Sequence, residues 1–417
     1  MWEKEKSHIG LKILLVLLAA GMIFGLVKAY LYVKEQNEAQ DAALIAEYNQ
    51  QQELSETTTV QQASLDTLSA EYQKDLDCVA EYLPGIVCWG DTLTAGSAGN
   101  VSFPYVLQDL LDEAINDKYD FKSTFTNATN YTGVDWDSYT VDIPVVNLGS
   151  GEESTKTILG RSGVANYVLS KDLIVPAECE AVSISFTAPD GSAVEPLTQG
   201  DVGINPVTIG GIEGRLTLDV ESKTTAYLFT RSEPGTGLTL PAGTEIVPAD
   251  AELYKDYIPV IFIGTYGGYD TVQELVAQQK QLIDRQIGNH DRYIVVGLYY
   301  FSRLSYVSGG YLSEFEKYEA AMLQEYGSHF INLRKYLISD DLTDAGLSAT
   351  KDDTSEITSG RVPPSLKSTA KGAELNASGY RLLGQLVYDR MDKLGYFDEV
   401  KDELGITALE KLEKKTS

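Results

Sequence analysis

Continuous apolar runs alternate with helical patterns through much of the chain, and this alternation limits the possible folds more than any other feature. Runs without polar alternation predict five buried strands: GIVCW (Gly85–Trp89), PVVNLG (Pro144–Gly149), YIPVIFIG (Tyr257–Gly264), RYIVVGLYY (Arg292–Tyr300) and a last one around His329–Asn332. Helical patterns lie between and after them: Phe103–Ile115, Ser154–Arg161, Thr271–Ile287, Glu314–Tyr326 and Ala377–Leu394. Strands of this kind form parallel sheets covered by helices on both faces, so the sequence predicts an α/β domain.

One stretch interrupts this alternation. Between Gly163 and Ala251 the runs VSISFTA, RLTLDV and TAYLFTR indicate strands among Gly, Pro and Asp turns, without a helical pattern. The sequence therefore predicts a β-rich module, residues 163–251, inserted into an α/β domain made of residues 81–162 and 252–400. We call this module the insert and expect it to form its own unit beside the site.

The N-terminal residues predict attachment to a membrane. Ile13–Val27 is an unbroken apolar run with Lys12 and Lys28 near its ends, where long cationic side chains can reach lipid headgroups. With its flanks, this run can form a helix of about twenty residues, the length that crosses a bilayer. Lysines before the run favour a cytoplasmic N-terminus, with the main domain outside the cytoplasm. The alternative is a cleaved signal peptide, for which Val27–Ala29 is a poor cleavage site.

Three shorter regions complete the predicted organisation. Residues 1–34 are expected to be a cytoplasmic tip and a single-pass anchor in the cell membrane. Residues 35–80 are rich in Gln, Glu, Ala and Thr and too poor in apolar residues to form a core, which is typical of a polar helical stalk. Residues 401–417 form a charged C-terminal tail.

Charge and cysteine content exclude several functions. The net charge of −28 argues against nucleic-acid binding, which needs a cationic surface. The chain has three cysteines, Cys78, Cys88 and Cys179, which are too few and too scattered for a zinc site or a disulfide framework. A disulfide bridge between Cys78 and Cys179 stays open. No spacing of acidic residues or histidines favours a metal site. We therefore expect no metal and no cofactor.

The ends of three predicted strands, and the start of the last helix, carry strings that resemble one enzyme family. The strings are GDTLTAG (Gly90–Gly96), LGSGEESTKTILGR (Leu148–Arg161), TYGGYD (Thr265–Asp270) and KGAELNASGY (Lys371–Tyr380). In this order they resemble blocks I, II, III and V of the SGNH, or GDSL-type, hydrolases, whose last two blocks read G-T-N-G-G-Y and D-x-x-H-L-N-x-x-G-Y. Apart from the insert, the resemblance covers most of the chain from Tyr82 to Phe397. It implies a flavodoxin-like, three-layer parallel sheet with its site at the carboxyl ends of the strands.

The resemblance also implies a role for each matching position. The family's nucleophilic serine falls on Thr92, its oxyanion glycine on Gly149, and its asparagine, a second oxyanion donor, on Tyr266. Its aspartate falls on Lys371 and its histidine on Glu374. Among these positions only the glycine is retained, while the residues around each position still match.

These replacements remove the chemistry of acyl transfer. A hydroxyl attacks an ester when an imidazole, oriented by an acid, takes its proton. Glu374 offers instead a carboxyl with a reference pKa of about 4.3, and an ion pair with Lys371, which we expect here, would make it a weaker base. Thr92 adds a methyl group beside the attacking oxygen. The histidines of the chain are expected away from this edge of the sheet: His8, His290 and His329.

The sequence therefore predicts a membrane-anchored, extracytoplasmic SGNH-like protein that is catalytically inactive. It would bind a cell-envelope glycan or act as a scaffold, because many relatives act on acylated carbohydrates. The alternative is an active esterase or deacetylase on acylated carbohydrate, with Thr92 as nucleophile and Glu374 as base. A purely structural stalk-and-head protein is a third hypothesis. The expected partners are the membrane and such a glycan polymer, and no nucleic acid.

Overall fold

A computed structural model of the protein describes Lys28 and residues 85–96, 101–117, 143–198, 200, 202–219, 226–285, 291–300, 311–339, 341–369 and 372–403. The chain divides into two compact units, Met1–Thr58 and Thr59–Ser417. The strands and helices described below all lie in the second unit. The predicted anchor (except Lys28), the stalk and the tail after residue 403 lie outside the described residues. Among the residues that are described, no helix has the length and apolar character needed to cross a membrane.

The described strands number fourteen in chain order. They are β1 (Ile86–Gly90), β2 (Val145–Gly149), β3 (Tyr167–Leu169), β4 (Leu173–Val175), β5 (Val182–Ile184), β6 (Phe186–Thr187), β7 (Val207–Ile209), β8 (Ile212–Leu218), β9 (Tyr227–Arg231), β10 (Leu238–Leu240), β11 (Glu245–Pro248), β12 (Ile258–Phe262), β13 (Ile294–Val296) and β14 (Phe330–Ile331).

The described α-helices lie mostly outside residues 163–251, between or after the strands β1, β2, β12, β13 and β14. They are α1 (Thr92–Ala95), α2 (Phe103–Asp112), α3 (Thr155–Arg161), α4 (Asp250–Leu253), α5 (Val272–Arg285), α6 (Tyr311–Tyr326), α7 (Leu333–Leu337), α8 (Asp341–Asp344), α9 (Lys351–Thr358), α10 (Ala377–Lys393) and α11 (Asp398–Glu403). A π-helical turn at Glu113–Asp117 continues α2, and 3-10 turns lie at Gly327–His329 and Pro364–Leu366.

Five parallel strands form the central sheet, in the order β2-β1-β12-β13-β14. The apolar side chains of β1 and β12 are fully buried, as their continuous apolar sequences predict. Helix α2 packs against α10, while α3, α5 and α6 pack in succession. The predicted α/β class with a parallel sheet is confirmed.

Strand β13 is shorter than its apolar sequence predicts. The run Arg292–Tyr300 forms a ladder only over Ile294–Val296, because the neighbouring β14 has just two residues. Beyond the ladder, the backbone N–H of Leu298 donates to the Tyr318 hydroxyl at 3.1 Å instead of to a strand. The length of this strand is therefore set by its partners and not by its own composition.

The insert contains a separate antiparallel sheet of seven strands, in the order β5-β9-β8-β7-β11-β3-β6, and a two-stranded sheet of β4 and β10. Its strands alternate in burial, as in β8, where Leu216 is buried and its neighbours Arg215 and Thr217 are exposed. The buried side chains form a core of the insert's own, which includes Tyr167 and Phe229. The predicted β-rich character of this region is confirmed.

Helix α9 begins with a capping box that predicts a pH-dependent contribution to stability. The buried Asp353 carboxylate accepts hydrogen bonds from the backbone and hydroxyl of Thr350 at 2.9 and 2.6 Å, and from those of Ser365 at 2.9 and 2.7 Å. Burial alone raises the pKa of the Asp353 carboxyl, and these hydrogen bonds outweigh burial and lower that pKa to about 2.

We expect Asp353→Asn to lower the free energy of unfolding by about 2 kcal/mol near neutral pH, because hydrogen bonds to a charged acceptor are lost. The folded pKa lies below the unfolded value of about 3.9, so the stabilisation is complete above that value and is lost as the pH falls towards about 2. Denaturant unfolding at several pH values should therefore show that the free energies of unfolding of the wild type and of Asp353→Asn become equal in acid. Asp352→Asn, an exposed change in the same turn, is the control. A difference that does not depend on pH would contradict the assignment.

Candidate functional site

The candidate site lies where the strand order of the parallel sheet reverses. Strand β2 lies on one side of β1, and β12 with the later strands lies on the other side. The ends of the three strands are level, because Gly90 is paired with Gly149 and with Phe262. The loops that follow them therefore meet at one edge, which we call the carboxyl edge. Ligands of doubly wound sheets bind at such a reversal, outside the carboxyl ends of the strands.

The segment Gly90–Gly96 forms a turn from β1 into α1. Asp91 is the N-cap of α1 and is fully buried, and its Oδ1 accepts a hydrogen bond from the Leu93 backbone at 3.0 Å. Burial raises the pKa of the Asp91 carboxyl to about 7, against the opposing hydrogen bonds from Leu93 and Thr265. Thr92 is the first residue of the helix and is half-buried. The cap thus fixes the turn from which the Thr92 hydroxyl projects.

Gly149 is needed for close packing, and its N–H is bound to a side chain of its own strand. A Cβ at Gly149 would lie 2.1 Å from the backbone nitrogen of Ala95 in α1. The Gly149 N–H donates to Asn147 Oδ1 at 2.9 Å, and the Asn147 amide donates to the Ala95 carbonyl at 3.3 Å. The role of Gly149 as an oxyanion donor, implied by the resemblance, stays a prediction, and in the structure its N–H is bound to Asn147.

The backbone N–H that faces Thr92 is that of Glu152, which the sequence did not single out. It donates to Thr92 Oγ1 at 2.7 Å. Glu152 has a φ of 57°, a left-handed conformation that is uncommon for residues other than glycine. Its side chain is exposed, and the next residue, Glu153, is buried. The unusual backbone turns the N–H towards the hydroxyl of Thr92.

This strain gives a direct stability prediction. We expect Glu152→Gly to raise the free energy of unfolding by roughly 0.5–1 kcal/mol, because relief of the left-handed strain exceeds the entropy cost of glycine. Glu213→Gly, an exposed change in the extended strand β8, should instead lower it by roughly 0.5–1 kcal/mol. Denaturant unfolding compares the two variants. If both lower the stability equally, Glu152 does not have the left-handed backbone described here.

The loop after β12 brings Tyr266 to Thr92. The glycines after Tyr266 have left-handed φ values of 79° at Gly267 and 94° at Gly268. A Cβ at Gly268 would lie 2.8 Å from the Thr155 nitrogen, and the Gly267 carbonyl accepts from that nitrogen at 2.9 Å. The loop therefore closes onto the start of α3, and a hydrogen bond joins the Tyr266 and Thr92 side chains.

The environment of Tyr266 is acidic and partly buried. Desolvation is the main reason why the pKa of the Tyr266 phenol is raised, and its hydrogen bond with Thr92 opposes this shift. Nearby negative charges at Asp91, Glu152 and Glu374 raise the pKa further. The loops after β1, β2 and β12 and the segment before α10 are thus brought together. We call Thr92, Glu152, Tyr266 and Glu374 the candidate site.

The segment that leads into α10 carries Glu374. Asn376 caps the helix by accepting from the Gly379 backbone at 3.1 Å, and its amide donates to the Ser365 carbonyl at 2.8 Å. Glu374 is half-buried, and its carboxylate lies 3.5 Å from the Ser368 hydroxyl. Within the described ranges, no hydrogen bond joins Glu374 to Thr92. Lys371 lies outside the described residues, and so does its expected ion pair with Glu374.

The one described histidine belongs to the other end of the sheet. His329 precedes β14, its ring stacks on Tyr293 at 4.2 Å, and its Nδ1 lies 2.9 Å from the Tyr396 hydroxyl. It therefore has a packing role and supplies no base to Thr92. The other two histidines lie outside the described residues: His8 and His290.

Among the described residues, no group of three or more His, Cys, Asp or Glu side chains could hold a metal ion. Cys88 is a buried free thiol and Cys179 an exposed one, while Cys78 lies outside the described ranges.

Comparisons of the chain with models of protein families, with curated proteins and with solved structures found no match. The candidate site presents a hydroxyl that accepts a backbone hydrogen bond and contacts a phenol, with carboxyl groups nearby.

Proposed function

We propose that the chain is a membrane-anchored, extracytoplasmic protein of the SGNH hydrolase type that lacks hydrolytic activity and holds a cell-envelope glycan at the candidate site. The order of the parallel strands supports the flavodoxin-like part of this proposal. Counted without the insert, the order is 2-1-3-4-5, the flavodoxin-like arrangement. The four motif strings and the apolar N-terminal run support the family and the anchor.

One observation carries the inactive assignment. The Thr92 hydroxyl accepts the Glu152 N–H at 2.7 Å and is joined to the Tyr266 side chain by a hydrogen bond, and neither group can remove its proton. The N–H is only a donor, and the raised pKa of Tyr266 keeps the phenol protonated near neutral pH. A nucleophilic hydroxyl needs a neighbouring base of suitable pKa. Thr92 is therefore held as a hydrogen-bonding group.

The character of the site supports a polar, uncharged ligand such as a sugar. Tyr266 is half-buried and offers both an aromatic face and a hydroxyl, which suits the mixed apolar and polar surface of a carbohydrate ring. Carboxylates at Glu152 and Glu374 can accept hydrogen bonds from sugar hydroxyls. The choice of a cell-envelope glycan follows from the family resemblance and the extracytoplasmic location, both of which belong to the proposal.

A second candidate function is an active esterase or deacetylase that uses Thr92 as nucleophile and Glu374 as base. The observation in its favour is the Glu152 N–H, which could stabilise a negative oxygen beside Thr92. Among the described residues no hydrogen bond joins Glu374 to Thr92, and its carboxylate lies beside the Ser368 hydroxyl instead, which argues against this function. The inactive reading is the better supported one.

Co-sedimentation with purified bacterial cell-wall polymer tests the proposed function. The full chain in detergent should sediment with the polymer, and Tyr266→Ala should reduce the bound fraction at least several-fold. Leu253→Ala is the matched control, because Leu253 is 64% exposed and lies in α4, before the amino end of β12. Binding that is equal in all three proteins, or absent from the wild type, would contradict the glycan proposal.

A further inference from the structure

We propose that the insert helps to fix the geometry of the candidate site, and that Arg161 is the positioning residue through which the insert acts. The proposal rests on the proposed function only in taking Thr92 and its neighbours as the site. It concerns a contact between the insert and the α/β domain that lies behind the loop from β2 to α3. This loop contains Glu152.

Arg161 fixes both ends of that loop. Its side chain is 1% exposed, and its Nε donates to Glu153 Oε2 at 2.6 Å. Its Nη2 donates at 2.9 Å to the carbonyl of Gly90, which also accepts the Ser150 N–H at 3.1 Å. One guanidinium therefore reaches the start of the loop through Gly90 and its end through Glu153. The peptide of Glu152 lies between these two points.

The insert covers this ion pair on its other side. Tyr167, the first residue of β3, is fully buried, and its hydroxyl donates to the Thr157 carbonyl in α3 at 2.6 Å. Its ring lies so close to Gly160 that a Cβ there would be 1.8 Å from it. From a separate part of the insert, Gly203 approaches Arg161 so closely that a Cβ on it would lie 3.0 Å from Nη1.

The electrostatics of Tyr167 agree with this enclosure. Burial is the main cause that raises the pKa of the Tyr167 phenol, and the negative charge of Glu153 raises it further. The Arg161 guanidinium also lies 5.3 Å from the centre of the Trp89 ring in β1. The pair is thus enclosed by the sheet on one side and by the insert on the other. A buried ion pair keeps a fixed geometry only while water is excluded from it.

It follows that a change in the insert should alter the candidate site without contacting Thr92. Opening the contact at Tyr167 would let water reach Arg161 and Glu153. The loop would then lose its fixed end, and the strained Glu152 peptide would turn its N–H away from Thr92 more often. The hydrogen bond from Glu152 to Thr92 is therefore the quantity to measure.

Hydrogen exchange of the Glu152 amide, measured on the full chain by mass spectrometry with residue-level fragmentation, tests this proposal. We expect exchange to be about tenfold faster in Tyr167→Phe and faster still in Arg161→Met, with the Val295 amide in β13 unchanged. Thr92→Ala, which removes the acceptor, gives the upper limit. Asp190→Ala is the matched control, since it removes the exposed Lys156–Asp190 pair, which also joins α3 to the insert.

Two outcomes would overturn the proposal. One is faster exchange at Val295 in parallel with Glu152, which would make Arg161 a general stability residue. The other is an effect of Tyr167→Phe no larger than that of Asp190→Ala, and this comparison decides the matter even if Arg161→Met does not fold. Exchange is measured without glycan, so a failure of glycan binding leaves this result unaffected.

Discussion

Replacing Arg334 by Met should lower the free energy of unfolding by about 3–5 kcal/mol, because it leaves a buried carboxylate without its partner. The side chains of Arg334 and Glu319 are only 4% and 7% exposed. Arg334 makes two parallel hydrogen bonds to this carboxylate, one of them at 2.8 Å, and donates to the Gly360 carbonyl at 3.0 Å. The pair joins α6, α7 and the turn after α9.

The matched control for Arg334→Met is Lys317→Met on the same helix as Glu319. Lys317 is 69% exposed and pairs with Glu314 at the surface, so its loss should cost less than about 1 kcal/mol. The double variant Arg334→Met, Glu319→Leu should recover most of the lost stability, because no charge is then left buried. Denaturant unfolding measures all three. A loss in Arg334→Met as small as that in Lys317→Met would contradict the buried pairing.

Gly149→Ala should lower the free energy of unfolding by about 3 kcal/mol, because the added methyl group has no space. The nearest atoms to such a Cβ are the backbone nitrogen and Cα of Ala95, at 2.1 and 2.6 Å, and backbone cannot rotate away. The helix that would have to move is α1, which carries Thr92. The variant should therefore disturb the candidate site as well as the stability.

Gly237→Ala is the control for this substitution. Gly237 is exposed, and the nearest atom to a Cβ there is the Ala177 nitrogen at 3.3 Å, so the cost should be less than about 1 kcal/mol. Thermal or denaturant unfolding compares the two variants. Equal and small effects would show that β2 and α1 do not pack as closely as described.

The sheet could be predicted from the sequence where burial alone decides the structure. The apolar runs that became β1 and β12 are buried along their whole length, so composition was sufficient. In the insert, β8 was predictable because its side chains alternate between core and solvent. Strand β13 was predicted too long, since its end depends on the Tyr318 hydroxyl, which is distant in sequence. A hydrogen-bond partner that is distant in sequence leaves no pattern in the residues of the strand itself.

Short helices were missed for a different reason. Helix α9 has few apolar residues, so its periodicity is weak, but the spacing Thr350-x-x-Asp353 is a capping-box signature that could have marked its start. Burial of Asp353 against Ser365 depends on the tertiary fold and could not have been predicted in the same way.

The candidate site was predictable in its residue types and not in its backbone. The motif strings identified Thr92, Tyr266 and Glu374, which the structure places at one edge of the sheet. The donor N–H of Glu152 was missed, because it depends on a left-handed φ that a glutamate in a sequence does not indicate. The glycines beside it signal a tight loop without showing which N–H points inward. The pairing of Arg161 with Gly90 is equally invisible, since it joins distant segments.

Hydrolysis of a small acetyl ester by the purified full chain, together with labelling by a fluorophosphonate probe, tests the proposed inactivity of the candidate site most directly. An active SGNH esterase is the positive control, and Thr92→Ala sets the background. Because the residues of a catalytic triad act as a unit, removing only the methyl group beside the hydroxyl in Thr92→Ser should not help. We expect the wild type and both variants to show no turnover above background and no labelling. Turnover by the wild type that is abolished in Thr92→Ala would contradict this account and identify a threonine esterase.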